Sequence, residues 1–445
     1  MSRIANSPID FYIVEHYSGY CRCRVHYGHA VLTEGDDRLI ATETAVDGSA
    51  GSAESVSGSL PLSGLMVLDL TLARAGPTCV RHFADWGADV IRVQPPDTGD
   101  EEVIGRRDGS DYQNMHRGKR VITLDLKTEA GHAAFIELVK RADVLVENMR
   151  APVKHRLGID WDALHAVNPR LVYGSISGFG QTGPYTARAG VDQIAQGMSG
   201  LMSVTGAPGG GPMRVGIAVA DLTSGNLLAL AIMMALYERA RTGKGRWVHT
   251  SLLESQIFML DFQAARYLQT GVVPVQVGND HPTAVPTGVF PTSDGWVNIG
   301  ASSSKQWKNL CQVIDPSWLD KPEWQSQADR SQDRAAVHAA ISEQTALKPT
   351  AHWVEAFETV GIPCGPIYSV DQVFEDPQVQ HLGMTPEVED ARLGKMRLLG
   401  SPLNFEGHRR ELRSLAKTTG VDTVEVLRGI GYDDAQITEV TGQKI

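Results

Sequence analysis

The fold is decided by three consecutive stretches: Leu65-Met-Val-Leu-Asp-Leu70, Ala75-Gly-Pro77 and Ala88-Asp-Val-Ile-Arg-Val93. The first and third are short apolar runs, which are typical of buried strands. Between them, Pro77 suits the first turn of a helix, and Gly87 is placed to end it. A strand, a helix and a second strand of these lengths form a βαβ unit, from which parallel sheets are built.

Three later runs repeat the strand pattern, with helical stretches between them: 121–126, 144–147 and 171–176. We therefore predict an α/β fold with a Rossmann-like, mostly parallel sheet. The dinucleotide fingerprint is missing, because the turn after the first strand has one glycine, Gly76. The second strand ends in Gln94, where an NAD-binding protein usually has an acidic residue. A nicotinamide dehydrogenase is therefore disfavoured.

The rest of the chain does not continue this alternation of strands and helices. Residues 1–61 show no clear period and end in a Gly/Ser-rich run at 47–59, which we interpret as an extension with a flexible linker. Helical patterns at 222–241 and 251–268 are separated by Gly243-Lys-Gly245. Beyond about residue 278, we predict a smaller α+β region.

The tail adds two further elements. It contains a strand candidate at 395–399 and a final helix near 421–428.

Composition limits the classes of function. The chain has 445 residues, 42% of them hydrophobic, and a formal net charge of −11. An acidic protein of this kind is a poor general binder of nucleic acid or of anionic membranes. The longest apolar run, Leu227–Leu236, is about half of what a membrane span needs. With no secretory signal and five scattered cysteines, we expect a cytoplasmic protein without a metal site.

Two groups of residues could bind an anion or a ligand closely. Asn148, Arg150 and Arg156 follow a predicted strand, and ligands of open α/β sheets bind at the carboxyl ends of strands. The arginines could hold phosphates, or they could simply be solvated. The glycine-rich run Ser177–Pro184 lets the backbone approach a ligand, or serves only as a connection.

Asp221 is the main candidate for covalent chemistry. It precedes the long apolar helical stretch, where a carboxylate can cap the helix. The same position would keep the carboxylate ionised and ready to act as a nucleophile. Asp192 competes for this role from within the glycine-rich region. His281 suggests acid–base work, but a hydrogen-bonded loop histidine is the more common case.

Together these residues resemble the class III CoA-transferases, the family of formyl-CoA transferase, carnitine CoA-transferase and α-methylacyl-CoA racemase. The resemblance covers about residues 62–410. The matching stretches are Leu62–Leu70, Ala75–Pro77, Ala84–Ile91, Arg117–Arg120, Leu124–Lys127, Asp143–Asn148, Asn168–Val172, Ser177–Pro184, Pro212–Gly216 with Asp221, Ile362–Pro366 and Asp376–Val379.

The resemblance implies a fold and an assembly. Family members have a large Rossmann-like domain built from both ends of the chain, with a small domain inserted. Here the large domain would comprise 62–275 and the return segment 371–445, and the small domain would comprise 276–370. Two chains would thread through each other as an interlocked homodimer.

The resemblance also implies a reaction and its residues. CoA would move from an acyl-CoA to a free carboxylic acid through an anhydride and then a CoA thioester on Asp221. No prosthetic group is implied, since CoA is a substrate. The residues that the resemblance assigns to CoA binding are Arg74, Ala75, Leu124, Lys127, Asn148, Arg150 and Arg156.

Two departures from the family bear on the alternatives. The racemase branch has a histidine before the aspartate of the glycine-rich loop, and this chain has Val191. Racemisation needs a base on each side of the α-carbon, so the valine weighs against a racemase or isomerase. The glycine-run lid of formyl-CoA transferase is replaced by Gly278-Asn-Asp-His-Pro-Thr283, so its substrate specificity is not implied. A non-catalytic CoA-binding paralogue is the other alternative, which the intact Asp221 disfavours.

Overall fold

The computed structural model describes residues 60–96, 101–102, 105–408 and 411–443. The strands are β1 (Met66–Leu70), β2 (Asp89–Gln94), β3 (Glu101–Glu102), β4 (Gly105–Arg106), β5 (Arg120–Thr123), β6 (Val144–Glu147), β7 (Val172–Ser177), β8 (Trp247–Ser251), β9 (Thr287–Pro291), β10 (Trp296–Gly300), β11 (Cys364–Pro366), β12 (Glu387–Asp390) and β13 (Gly394–Arg397).

The α-helices connect and cover these strands. They are α1 (Ala75–Asp85), α2 (Ser110–His116), α3 (Glu129–Val139), α4 (Ala151–Arg156), α5 (Trp161–Val167), α6 (Asp192–Met198), α7 (Leu201–Val204), α8 (Val219–Thr242), α9 (Leu252–Met259), α10 (Asp261–Thr270), α11 (Ser304–Ile314), α12 (Gln327–Gln332), α13 (Arg334–Thr345), α14 (Thr350–Thr359), α15 (Val370–Glu375), α16 (Pro377–His381), α17 (Thr423–Gly429) and α18 (Asp434–Thr441). Residues 1–59, which include the predicted linker, Cys21 and Cys23, lie outside the described part of the chain.

The central sheet has six strands in the order β5-β2-β1-β6-β7-β8, and every neighbouring pair is parallel. This is the 3-2-1-4-5-6 order of doubly wound dinucleotide-binding folds. The predicted α/β class and parallel sheet are confirmed. Strand β8 was missed, because its five residues end directly at α9 and only Ser251 is buried.

The sheet is covered on both faces, which explains its continuous apolar strands. Successive residues of a strand point to opposite faces. Leu68 and Leu70 of β1 join a core with α3, α5, α17 and α18, whereas Val67 joins a second core with α1 and α8. The return segment thus completes the first core, and the side chain of Asp422, just before α17, accepts the Val121 N–H at 2.7 Å.

Helices α1 and α8 cross at very short distance on the second face. A Cβ atom at Gly225 of α8 would lie 2.5 Å from the carbonyl oxygen of Ala75, at the start of α1. Only glycine permits this contact, since the opposing atom belongs to the backbone. The crossing fixes the first turns of α8 against the amino end of α1.

The chain between β9 and β11 has a core of its own. Strands β9, β10 and β11 form an antiparallel sheet, and the core behind it includes Phe290, Trp307, Ile341 and Phe357. This arrangement gives the α+β character expected for that region. The tail pairs β12 with β13, which includes most of the predicted strand.

Three helix predictions need correction. The stretch 251–268 forms two helices, because Asp261 has a φ of 42° and breaks the run. The helix near 421–428 is followed by α18, so it is not the last. The apolar run 227–236 is part of α8, which has 24 residues and contains an 18-residue window with a mean hydropathy of 1.7, so it also suits a membrane span by length and composition alone. In this fold, α8 packs one face on α1 and the sheet.

Candidate functional site

The site begins at the switch point of the sheet, where β1 and β6 lie side by side but their following helices cover opposite faces. A crevice opens at such a point, beyond the carboxyl ends of the strands. Asn148 bridges the two loops here. Its Nδ2 donates to the Leu72 carbonyl at 2.7 Å, and its Oδ1 accepts the Leu72 N–H at 2.9 Å. Asn148 therefore fixes the relative position of the loops that the resemblance assigns to CoA.

A buried ion pair between Asp69 and Lys119 holds the loop that follows β1. Asp69 accepts hydrogen bonds from Lys119 Nζ at 2.8 Å and from the hydroxyl and N–H of Thr71 at 2.6 and 2.9 Å. Burial alone would raise the pKa of Asp69, but the charges of Lys119 and Arg92 outweigh it and lower the pKa. Asp69 and Lys119 both lie in stretches that carry the family resemblance, but neither was predicted as a site residue.

The two arginines near β6 are open to a ligand. Arg150 is the residue before α4 and Arg156 is its last residue, so a helix of about 9 Å separates their positions. Both are exposed, and neither guanidinium group forms a hydrogen bond or ion pair with another described residue. They are thus free to bind phosphate groups bidentately.

The loop after β5 places the other predicted contacts two strands away from β1. Lys127 is exposed there, while its N–H donates to Asp125 Oδ1 at 3.0 Å. Leu124 differs from the prediction in one respect. Its side chain is 1% exposed and belongs to the core, and its N–H donates to the Gln94 carbonyl, so only its carbonyl group could face a ligand.

The glycine-rich loop after β7 is closed at its neck. A Cβ atom on Gly178 would lie 2.6 Å from the Cα of Gly190, and one on Gly190 would lie 2.5 Å from the Cα of Gly178. The loop is also tied to α4, because the buried Lys154 Nζ donates to Gln181 Oε1 at 2.8 Å and to Glu147 Oε1 at 2.9 Å. Lys154 was not among the predicted site residues.

Asp221 occupies the third position of α8 and does not cap it. The residue before the helix is Ala218, which makes no side-chain capping bond. The cap is supplied from the glycine-rich region, since Asp192 Oδ1 accepts the Ala220 N–H at 2.8 Å. The capping interpretation of Asp221 is therefore wrong. Asp192 is also not merely a loop residue, because it begins α6.

The ionisation of Asp221 also differs from the expectation. Burial raises the pKa of Asp221 to about 6, the negative charge of Asp192 adds to the rise, and the charge of Arg74 opposes it. The helix start was expected to keep the carboxylate ionised. Loss of solvent and a second carboxylate are the stronger influences here. The group still ionises near neutral pH, and an incompletely solvated carboxylate is more reactive toward an acyl carbon.

The pH profile should report this environment. If Asp221 must be ionised to react, kcat/KM for acyl-CoA should rise about tenfold per pH unit below pH 6 and level off above it. Asp192→Asn removes the neighbouring negative charge but leaves an oxygen for the Ala220 N–H. The pKa of Asp221 should then fall, and the acid limb should move to lower pH. A limb that stays in place in the variant would contradict the assignment.

His281 is a structural loop residue. Its Nδ1 accepts the N–H groups of Thr283 and Ala284 at 3.2 and 3.1 Å, and its ring stacks on Phe262. This agrees with the hydrogen-bonded interpretation. Within the described ranges, no group of three or more His, Cys, Asp or Glu side chains could hold a metal ion.

The described residues thus combine a poorly solvated carboxylate at Asp221, two exposed arginines and a glycine-rich loop closed at its neck, a set that suits a substrate with phosphate groups. The chain belongs to CoA-transferase family III, whose family model matches residues 62–423. The predicted resemblance is thereby confirmed, and the chain is a class III CoA-transferase.

Two relatives and one solved structure illustrate the match. The chain is 39% identical to the succinate–glutarate CoA-transferase of Agrobacterium fabrum over 341 residues, which are 74% of this chain and 85% of that protein. It is 33% identical to the human succinyl-CoA:glutarate CoA-transferase over 388 residues, 85% of this chain and 88% of that protein. A CAIB/BAIF family protein from Brucella suis superimposes with a TM-score of 0.74 at 33% identity, covering 84% of this chain and all of that one.

Proposed function

We propose that this CoA-transferase works through covalent intermediates on Asp221. The observation that carries the proposal is the position of this carboxylate. It lies at the start of α8, whose first turns pack against the amino end of α1, and the charges of Asp192 and Arg74 both act on it. The relatives' reactions make dicarboxylic acids such as succinate and glutarate the first substrates to test.

The reaction proceeds in balanced steps. An oxygen of Asp221 attacks the thioester carbonyl, the C–S bond breaks, and CoA leaves as its thiolate, which gives a mixed anhydride. The thiolate attacks the aspartyl carbonyl and releases the donor acid as its carboxylate, so that CoA is now held as a thioester of Asp221. The acceptor carboxylate attacks the carbonyl of this thioester, the C–S bond breaks and CoA leaves again as its thiolate, which gives a second anhydride. The thiolate then attacks the acyl carbonyl, leaving the new acyl-CoA and a free Asp221.

Trapping the thioester tests this proposal. The enzyme is incubated with succinyl-CoA and no acceptor, then digested, and the peptide that contains Asp221 is expected to gain the mass of CoA. Hydroxylamine should remove the adduct, since thioesters react with it. An adduct on Asp192 or no adduct in an enzyme that exchanges CoA would contradict the mechanism.

The CoA moiety is held along the carboxyl edge of the sheet. Arg150 and Arg156 bind its phosphates, while Ala75, Lys127 and the carbonyl of Leu124 line the path across the neighbouring strands. Positive side chains are needed locally because the whole protein is acidic. A racemase is not proposed, because Val191 cannot accept a proton and no histidine replaces it at this position.

The chain organisation follows the family. The large domain comprises 62–275 and 371–445, the small domain comprises 276–370, and two chains form an interlocked homodimer. An exposed apolar stripe on α8 supports the dimer, since Leu230, Met233, Met234 and Tyr237 recur at helical spacing. The stripe is accompanied by exposed apolar residues of α9 and α10, such as Phe258 and Leu268.

Interlocking has a measurable consequence. The protein should sediment at about twice the chain mass of 48.2 kDa. Tagged and untagged dimers that are mixed under native conditions should not exchange chains, because threaded chains separate only by unfolding. Unfolding and refolding the mixture should produce hybrids. Hybrids that form in the native mixture would rule out interlocking, and a monomer would rule out the dimer.

The cytoplasm is the proposed location. Cys79, Cys311 and Cys364 are free thiols, which agrees with a reducing compartment.

A further inference from the structure

Arg74 is held in an unusual place at the start of α1. It directly follows Ala73, whose φ of 56° lies in the left-handed region that residues other than glycine rarely adopt. Strained backbone of this kind persists where the surroundings enforce it, commonly beside a functional group. The asparagine bridge to Leu72 and the buried anchor at Asp69 supply that enforcement.

The guanidinium of Arg74 is oriented by one partner, Asp111, but keeps hydrogen-bond donors that this partner does not occupy. Asp111, in the first turn of α2, accepts from both terminal nitrogens of Arg74, one at 3.0 Å. The Arg74 side chain remains 28% exposed. A guanidinium has five N–H donors, so three remain after this bidentate contact. Asp111 therefore fixes the direction of Arg74 and leaves donors for a ligand.

Arg74 also lies close enough to Asp221 for its charge to act on that carboxylate. Asp221 and Gly225 are four residues apart on α8 and hence on one face of the helix. Gly225 contacts the Ala75 carbonyl, so this face, one turn earlier, brings Asp221 to the residue before α1. The positive charge of Arg74 accordingly opposes the rise in the pKa of Asp221 that burial and Asp192 cause.

This arrangement solves a problem that a dicarboxylic substrate creates. Its second carboxylate must enter a region that already contains Asp192 and Asp221, and like charges in a poorly solvated site repel each other strongly. A cation at the same place removes the repulsion, and a guanidinium matches a carboxylate in geometry. A monocarboxylic acyl chain has no second carboxylate to pair with this cation.

We propose that Arg74 binds the non-reacting carboxylate of a dicarboxylic acyl group and so selects dicarboxylates as substrates. This rests on the proposed function and reassigns a residue that the family resemblance placed against CoA. Arg74 is thus a specificity residue, and Asp111 positions it.

Matched acceptors test the proposal. Glutarate and valerate have the same number of carbons, but valerate has a methyl group in place of the second carboxylate. With succinyl-CoA as donor, wild type should prefer glutarate in kcat/KM, and Arg74→Leu should lower that preference about 10- to 100-fold, as expected when a charge-assisted bond is lost. The kcat/KM for valerate should change little, because it reports only the steps after the donor succinate has left. Arg74→Lys should restore part of the preference.

Arg246→Leu is the matched control. Arg246 is exposed and pairs with Glu238. It precedes β8, so it lies at the amino ends of the parallel strands, whereas Arg74 lies beyond their carboxyl ends. Its removal should leave the preference unchanged. Equal losses in kcat/KM for glutarate and valerate in the two Arg74 variants, or a loss in the succinyl-CoA half-reaction with no change in the preference between the two acids, would overturn the inference. A wild type that uses valerate as well as glutarate would also overturn it while leaving CoA transfer intact. Failure of wild type to exchange CoA with any acid would instead strike the proposed function itself.

Discussion

Asp221→Asn is expected to lower CoA exchange by at least about a thousandfold, on the order of the loss when a covalent nucleophile is removed. The amide has nearly the size of the carboxylate but cannot form the anhydride. Exchange is measured as transfer from succinyl-CoA to labelled glutarate. No CoA adduct should form on the corresponding peptide.

The fold should survive this substitution. Asp221 makes no capping bond, and α8 is capped by Asp192 instead, so neither Asn nor Ala at this position removes a cap. Thermal unfolding and acyl-CoA binding should therefore stay close to wild type in both variants. A folded Asp221→Asn protein that exchanges CoA at a substantial rate would refute the nucleophile assignment.

Loss of either free arginine should weaken acyl-CoA binding by about 1.5–3 kcal/mol, the range for a hydrogen bond to a charged group. This applies to Arg150→Ala and Arg156→Ala, whose guanidiniums have no competing partner among the described residues. Calorimetric titration with succinyl-CoA measures the effect. The KM for glutarate should change far less, because the acid contains no phosphate.

Salt dependence separates a phosphate contact from a general change of fold. Wild-type affinity for succinyl-CoA should fall with ionic strength, and the fall should be shallower in each arginine variant. Arg246→Ala removes an exposed ion pair with Glu238 at the amino ends of the strands, and this variant should bind succinyl-CoA like wild type. Unchanged affinity in both arginine variants would show that CoA binds elsewhere.

The sequence predicted those parts of the fold that depend on local pattern. Five of the six central strands followed from apolar runs bounded by polar or glycine residues, because such runs are dictated by burial on both faces. Strand β8 carried no such run. The break at Asp261 was equally invisible, since a single aspartate does not by itself end a helix and only the observed φ reveals the turn.

The sequence predicted residues of the candidate site but not how their charges affect one another. Asp221 was found from its place before an apolar helix and from the family motif. Its raised pKa depends on Asp192, which is distant in sequence and arrives through the fold of the glycine-rich loop. Lys119 and Lys154, which hold the loops of the site, were missed for the same reason. Their partners, Asp69 and Gln181, are distant in sequence and become neighbours only in the folded chain.

The contact between Gly178 and Gly190 has a consequence for how new specificities arise. Because the two ends of the loop touch, residues 179–189 form a closed excursion, as in an Ω-loop. Its length can change without moving the strand that precedes it or the helix that follows. Evolution or an engineer can therefore exchange this excursion as a cassette, provided that both neck glycines and the Lys154 attachment are kept, while Asp192 and Asp221 stay in place.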